Sequence, residues 1–355
     1  MEFVSERYDL NKIEENKGYE LCFSPNMNLR DCAIHLAVAF DQNFITPFYV
    51  LLTSIFSSHK ETSIHFHVIA AGISEEEKQN ISMFIQKHNA SLTFYQAPEN
   101  MLPPNLPQTK AYPISIYYRL LFPFLVPPSV HRLLYLDTDI VVIKGLDTLY
   151  QTNIGDLPVG AVIESFVGSR PELGIFESGR YFNSGVLLIN VPEWKAQKIS
   201  EKTLHFLTHQ SHKIIWMDQD ALNAVLINNY FPLDYKYNIT SEYIPKWITS
   251  RQLEHFVEDK VIIHYTSGGI KKPWSGLSRN RLRHYYHAYL KKSPHAYLKK
   301  YTDFTFSFDY LTEFTKIRML EFMLDHPWLW RLWPKTNKPI ANPKPVAEAQ
   351  GSSMA

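Results

Sequence analysis

At 355 residues, 45% apolar and 14% aromatic, the chain can bury a large core, either as one α/β domain with appendages or as two domains. A net charge of +1 argues neither for nor against a polyanionic partner, and Cys22 and Cys32 alone imply no disulfide framework or cysteine-rich zinc site and fit a reducing compartment. The start Met-Glu-Phe-Val-Ser-Glu-Arg lacks a basic stretch leading into an apolar run, and the longest apolar runs fall far short of a membrane span, so a soluble or peripheral protein is expected.

Residues 1–30 are polar, without clear periodicity, and read as an N-terminal extension. Residues 34–40 read as a buried strand. Thr46-Pro47 reads as a helix start, with threonine as N-cap and proline at the first helical position, leading into 48–57. Residues 64–70 are strand-like, and Ser74-Glu75-Glu76-Glu77 has the capping-box pattern that opens a helix towards His88. Residues 92–95 are strand again and 116–124 are predicted helical. A strand then ends at Asp137, and runs at 159–163, 185–190 and 261–265 add further strands. This alternation predicts a doubly wound α/β sheet. Ligands of such sheets sit at the C-terminal ends of strands near the topological switch point. Asp41, Asp137 and His264 each end one of the predicted strands.

After Trp274 the composition changes. Residues 271–300 hold nine Lys or Arg and no Asp or Glu, which leaves the rest of the chain near −8. Tyr285, Tyr286, Tyr289 and Tyr297 are interleaved, and His-Ala-Tyr-Leu-Lys-Lys occurs at both 287–292 and 295–300. Residues 320–333 are rich in Leu, Met, Phe and Trp. Residues 337–355, rich in Pro, Ala and Ser, are predicted to be disordered. The expected division is an extension over 1–30, a catalytic domain over 31–274, a basic, aromatic helical segment over 275–336 and a tail over 337–355.

The segment Leu-Leu-Tyr-Leu-Asp-Thr-Asp places Asp137 and Asp139 at the mouth of an apolar strand, where i, i+2 spacing turns both side chains the same way. Charges so placed are costly unless something cationic sits between them, and a hard divalent metal carrying a diphosphate would satisfy both. The competing reading is a solvated turn after a core strand, and Asp218-Gln219-Asp220 shows that such pairs recur. In Ala39-Phe40-Asp41-Gln42-Asn43-Phe44, a carboxylate can accept from a base N–H and a ring can stack, yet Asp41 fits a turn and Phe44 a core equally well. His264 could be a packing histidine. Its interest lies in Gly268, Gly269, Lys271 and Lys272 just beyond, since glycines let amides approach phosphate oxygens and lysines neutralise them. Phe182-Asn183-Ser184-Gly185 and Met217-Asp218-Gln219-Asp220 offer polar groups for sugar hydroxyls, or are a turn and a cap.

Taken in order, Ala39 to Phe44, Tyr118-Arg119, Tyr135-Leu136-Asp137-Thr138-Asp139, Asn183-Ser184-Gly185, Asp218-Gln219-Asp220 and His264-Tyr265 with Lys272-Pro273-Trp274 resemble glycosyltransferase family 8, retaining sugar transferases of the Rossmann-like GT-A fold. The resemblance covers about residues 30–275. It is strongest to the bacterial enzymes that add glucose or galactose to the lipopolysaccharide core. It implies that Asp137, Asp139 and His264 ligate Mn²⁺, with Mg²⁺ as the alternative, and that the ion bridges the diphosphate of a UDP-sugar. Ala39, Asp41 and Phe44 would hold uracil, Arg119 and Thr138 would contact the donor, and Gly268 and Lys272 would grip the phosphates. Asn183, Asp218 and Gln219 would surround the transferred hexose, with Gln219 beneath the anomeric carbon. The segment from His264 to Lys272-Pro273-Trp274 is longer than the family's usual spacing, which makes Lys271 a second candidate for the phosphates.

Retention normally implies a carboxylate nucleophile, whereas glutamine is a poor one. A front-face route is therefore expected, and a glycosyl adduct on Asp218 or Asp220 would overturn it. The basic tail reads as a solvated face, a nucleic-acid site or, the preferred reading, a patch that docks on an anionic membrane, with no nucleic acid partner. The whole points to an enzyme peripheral on the cytoplasmic face of the bacterial inner membrane. It would move a hexose, glucose first and galactose as alternative, from a UDP-sugar to a lipid-linked lipopolysaccharide core. The rival is a catalytically silent nucleotide-sugar-binding protein.

Overall fold

The structure, a computed structural model, describes residues 21–22, 34–59, 61–97, 101–109, 112–266, 271–326 and 328–329. Nearly all of the expected N-terminal extension, Gly268, Gly269 and the 337–355 tail lie outside the described residues.

Ten strands are described: β1 (Leu21–Cys22), β2 (Ile34–Asp41), β3 (Ile64–Ala71), β4 (Ala90–Tyr95), β5 (Arg132–Leu136), β6 (Ile140–Val142), β7 (Val159–Ile163), β8 (Phe182–Asn190), β9 (Phe231–Leu233) and β10 (Ile262–His264). Eight form one sheet in the order β1-β4-β3-β2-β5-β8-β7-β9, and β6 and β10 pair separately. The block β4-β3-β2-β5 is parallel, while β8 runs antiparallel to both β5 and β7. The expected α/β sheet is thus present, parallel across β4-β3-β2-β5, with β8 reversed between β5 and β7 and β9 parallel to β7. The fold is mixed α/β, the class that the resemblance to GT-A enzymes implies.

The central strands are near-continuous apolar runs because both faces of the sheet are covered. Alternation sorts β2: Ile34, Leu36, Val38 and Phe40 face one core, packed under the helices Ile45–Ser58 and Glu75–Ile85, while Ala37 and Ala39 face the other. In the helix Ile45–Ser58, Phe48, Leu51, Leu52 and Ile55 are fully buried, each worth about 1.5–3 kcal/mol relative to exposure. The chain runs outward from β2 through β3 and β4 and then returns to β5 on the other side of β2. The switch point therefore lies between the C-terminal ends of β2 and β5, which carry Asp41 and Asp137.

Several local expectations are corrected. Thr46 does not cap its helix. A 3₁₀ turn, Gln42–Phe44, capped by the Asp41 carboxylate on Asn43 N at 2.8 Å, leads directly into Ile45–Ser58, and the Thr46 hydroxyl bonds His295 Nδ1 at 2.8 Å. Residues 116–124 divide into a 3₁₀ helix, Ile114–Leu120, and a short α-helix, Phe122–Leu125. Pro123, with no N–H to donate, cannot extend the first segment. The strand expected over 185–190 begins at Phe182, which puts Asn183, Ser184 and Gly185 inside β8 rather than in a turn. His264 ends a strand of the small β6–β10 ribbon, not of the main sheet.

The helix Arg283–Leu290 packs on this ribbon: Leu282, Tyr286 and Leu290 share a cluster with Val50, Val141, Ile263 and Tyr265. The two copies of His-Ala-Tyr-Leu-Lys-Lys fold differently. The first closes this helix and buries His287 and Leu290, whereas the second lies in a turn with Tyr297 78% exposed. Identical hexapeptides diverge because only the first finds a core to pack against. No described helix is long and apolar enough to cross a membrane.

Candidate active site

Asp137 follows β5 and Asp139 precedes β6, so the two carboxylates sit where the chain leaves the main sheet for the ribbon. Asp137 N still donates to Gly185 O of β8 (2.9 Å), and Tyr265 N donates to Asp139 O (2.9 Å). In the ribbon His264 lies opposite Ile140, which carries the imidazole to the carboxylates. One ligand atom from each of Asp137, Asp139 and His264 lies within 4.8 Å of the others. His264 Nε2 is 3.3 Å from Asp139 Oδ1 and 3.8 Å from Asp137 Oδ2.

The imidazole is oriented by a chain of amides. Asn238 Nδ2 donates to Asn183 Oδ1 (2.8 Å), which turns Asn238 Oδ1 towards His264 Nδ1 at 2.9 Å. A carbonyl oxygen only accepts, so Nδ1 is the donor in this contact and Nε2 is the ring nitrogen left facing two carboxylate oxygens. Two carboxylates and an imidazole nitrogen converging in this way form a ligand set for a cation, of the oxygen-rich, single-imidazole type that suits Mn²⁺ or Mg²⁺. Gly185 leaves room for the imidazole and the Asp137 carboxylate to meet: a Cβ there would overlap His264 Cε1 and lie 2.7 Å from Asp137 Oδ2.

Two cations compensate the carboxylates. Arg119, 6% exposed, donates to Asp137 Oδ1 (2.9 Å), to Ser184 O and Oγ (2.7 and 3.0 Å) and through Nε to Ile116 O (3.0 Å), forms an ion pair with Asp218 Oδ2 (3.0 Å), and lies over the Tyr135 ring. Most of its donor capacity is thus used within the protein. Lys272 Nζ pairs with Asp139 Oδ2 and donates to Tyr265 O (2.8 Å). Burial pushes Asp139 up, but the Lys272 ammonium and His264 outweigh it and hold the carboxyl well below the usual range. Burial wins at Asp218, which is pushed up to about 6 in spite of Arg119.

A cavity of about 760 Å³ opens over these groups, within the range of small-molecule sites. It is lined by Ala39, Asp41 and Phe44 from the β2 end and its following turn, by Arg119, Asp137, Thr138 and Asp139, by Asn183, Asp218 and Gln219, and by His264 and Lys272. Lys271 is exposed and does not line it. Asp41 uses Oδ1 to cap Asn43, and Phe44 meets Trp274 edge-on at 6.0 Å.

The helix Met217–Val225 begins at Met217 with φ +44°, a conformation costly for a side-chain-bearing residue, and this start turns Asp218 and Gln219 into the cavity. The Gln219 amide is fully engaged. Its Oε1 accepts from Asn183 Nδ2 (3.0 Å) and Ser184 N (3.1 Å), and its Nε2 donates to Tyr181 OH (3.1 Å) and Glu164 Oε2 (3.3 Å). Asp220, by contrast, is fully buried away from the cavity. It accepts from Arg170, Tyr181 OH, Ile215 N and Trp216 N, and so ties down the helix start.

Sequence reasoning missed Glu164 and Asn238. Glu164 follows β7, a strand end like those of Asp41 and Asp137, so a signal existed. Asn238 sits in a loop with no pattern to mark it. Burial pushes the Glu164 carboxyl up to about 6, against the pull of the Asn183 amide. A carboxyl with a raised folded pKa holds its proton more tightly when folded, so its contribution to stability falls as pH rises from about 4.5 to about 6 and the penalty is complete above that. The melting temperature of Glu164→Gln should therefore rise relative to the native chain between pH 4.5 and 6.5, on top of any constant offset from lost hydrogen bonds. Thermal melts with a constant gap across that range would refute this.

The family model described as Glycosyl transferase family 8 matches residues 35–278, about two thirds of the chain and all of the cavity-lining segments. The chain belongs to glycosyl transferase family 8. Its family 8 relatives include a lipopolysaccharide 1,2-glucosyltransferase of Escherichia coli, 34% identical over 66% of this chain and 71% of that protein. A lipopolysaccharide 1,3-galactosyltransferase of Salmonella typhimurium is 26% identical over 73% of this chain and 78% of its own. Among solved structures, galactosyltransferase LgtC in complex with donor and acceptor sugar analogues superposes with a TM-score of 0.62 at 22% identity, covering 79% of this chain and all of that one. That likeness shows the shared fold. As a family 8 member the chain is a glycosyltransferase.

Proposed function

We propose that this chain is a hexosyltransferase that moves glucose, with retention of configuration, from UDP-glucose to the lipopolysaccharide core. The observation that carries the reading is the convergence of Asp137, Asp139 and His264 on a cavity that also takes in Asp41, Asn183, Asp218 and Gln219. Identity to the Escherichia coli glucosyltransferase favours glucose, and the 26% identity to the Salmonella galactosyltransferase supports galactose as the second reading.

In this reading Asp41 accepts from the uracil N–H, and Phe44 offers its ring to the base. A divalent ion held by Asp137, Asp139 and His264, with Mn²⁺ first, would stabilise the negative charge that develops on the departing UDP. Lys272 adds a mobile positive charge beside the diphosphate, and Arg119 holds Asp137 and Asp218 in place from behind. Asn183, Asp218 and Gln219 surround the hexose. The Gln219 amide is occupied on both atoms and Asp218 is tied to Arg119, which supports a front-face route in which the acceptor hydroxyl attacks from the side that UDP leaves. A screen of UDP-sugars against truncated core acceptors, with the product linkage determined by NMR, tests the proposal. Release of UDP and a new glucosyl linkage is the expected outcome, and no transfer from any UDP-hexose would defeat it.

The acceptor is lipid-linked in this reading, and an anionic membrane is its setting. Phe304, Phe306 and Phe308 are 43%, 89% and 84% exposed and follow the exposed Lys299 and Lys300. Such a strip can seat aromatic rings at the headgroup level while the lysines meet anionic lipid at ~1 kcal/mol each. Because the helix Arg283–Leu290 belongs to the core, a deletion from residue 275 would damage the fold, and substitution is the cleaner test. Changing Phe304, Phe306 and Phe308 together to serine should release the protein from phosphatidylglycerol vesicles and leave UDP affinity unchanged. Undiminished vesicle sedimentation would count against the membrane role.

A further inference from the structure

The two carboxylates that face His264 are compensated in different ways. Asp137 is held by Arg119, a guanidinium only 6% exposed and fixed on several sides by Ser184, Asp218 and the Ile116 carbonyl. It cannot leave without exposing buried charge. Asp139 is held by Lys272, whose side chain is 22% exposed at the cavity rim, on a flexible stem, with Tyr265 O as its other acceptor. One carboxylate therefore has a permanent counter-cation and the other a removable one.

We propose that Lys272 is the resident cation of the Asp137–Asp139–His264 cluster, and that a divalent ion gains full access to Asp139 only by displacing it. The inference rests on the metal–nucleotide reading above. Lys272 holds Asp139 Oδ2 while Oδ1 faces His264 Nε2, so an ammonium and a dication on Asp139 repel each other across a carboxylate with one negative charge to share, and the ion gains both oxygens only when Lys272 leaves. If the ion arrives alone, Lys272 loses its partner and turns to solvent. If the ion arrives with a diphosphate, the displaced ammonium finds new anionic oxygens within reach of its stem, and the charge balance of the site is kept. Lys272 thus couples the two ligands: it opposes the bare ion and favours the ion–nucleotide pair. By linkage the same factor raises the affinity for UDP when the ion is present.

The experiment is a calorimetric titration of Mn²⁺ into the native chain, Lys272→Met, Lys272→Gln and Lys272→Arg, each with and without saturating UDP. Without UDP, the two neutral variants should bind Mn²⁺ about tenfold more tightly than the native chain, and Lys272→Arg should stay near native. With UDP the order should reverse, the neutral variants becoming weaker than native. Either neutral variant suffices if the other does not fold. Native Mn²⁺ binding with unchanged or weaker UDP-free affinity in the neutral variants overturns this inference while leaving the metal–nucleotide reading intact. Absence of Mn²⁺ binding in every chain, with and without UDP, overturns both.

Discussion

Asp139→Ala is expected to lower the rate of Mn²⁺-dependent UDP release from UDP-glucose by about 10²–10³ at saturating acceptor. The size follows from what Asp139 does at one position. It supplies one of three ligand atoms within 4.8 Å, it is 8% exposed, and its charge lies where the diphosphate must be neutralised. Removing it should leave the fold intact, because its partner Lys272 is partly exposed and can turn to water. Circular dichroism and the melting curve should therefore match the native chain while turnover is lost. Asp139→Asn keeps the shape but not the charge and should lose nearly as much. A variant that releases UDP within a few-fold of the native rate would show that these carboxylates are not the centre of the chemistry.

Arg119→Met should act on stability instead. Arg119 neutralises Asp137 and Asp218 at once, and it is the cation shared by the two halves of the site. Taking away one side of a buried charge cluster leaves carboxylates uncompensated, at a cost of about 3–5 kcal/mol. For a chain of 355 residues that corresponds to a fall in Tm of roughly 4–8 °C. Arg119→Lys should recover only part of this, because a single ammonium cannot reach Asp137, Asp218 and Ser184 O together as the planar fork does. Differential scanning calorimetry at pH 7.5 reads the outcome directly. A loss below 1 kcal/mol would mean that the carboxylates relax into water, and the picture of a rigid charged floor would fail.

The parts of the site that were legible in the sequence are those fixed by local rules. The apolar run before Asp137, the i, i+2 spacing to Asp139 and the strand before Asp41 needed only the period of a strand and the habit of parallel sheets to gather ligands at their C-terminal ends. The positions of Asp41 and Asp137 on either side of the switch point follow from the same rules. His264 was identified at a strand end, but not which strand it would pair with. Whether β10 joins the main sheet or β6 is decided by packing from residues far along the chain, such as Leu282 and Tyr286.

What stayed hidden was set by partners distant in sequence. Thr46-Pro47 has the chemistry of a helix start, yet Asp41 had already capped the turn before it. Asn183-Ser184-Gly185 looks like a turn from composition alone. It is a strand because β5 and β7 flank it, and its glycine is required by the approach of His264, 79 residues downstream. Asn238 fixes the histidine tautomer through Asn183, a relation between loop and strand that no spacing announces. The repeated hexapeptide makes the same point, since identical residues fold as a helix end in one copy and as an exposed turn in the other.

The central claim is that the Asp137–Asp139–His264 cluster holds the metal through which a UDP-hexose is bound. Isothermal titration of UDP-glucose into the native chain, after EDTA treatment and again in excess Mn²⁺, tests it most directly. The account predicts micromolar binding with the metal and at least a tenfold loss without it, with Asp139→Ala unresponsive to the metal. Equal donor affinity in the two conditions would contradict it.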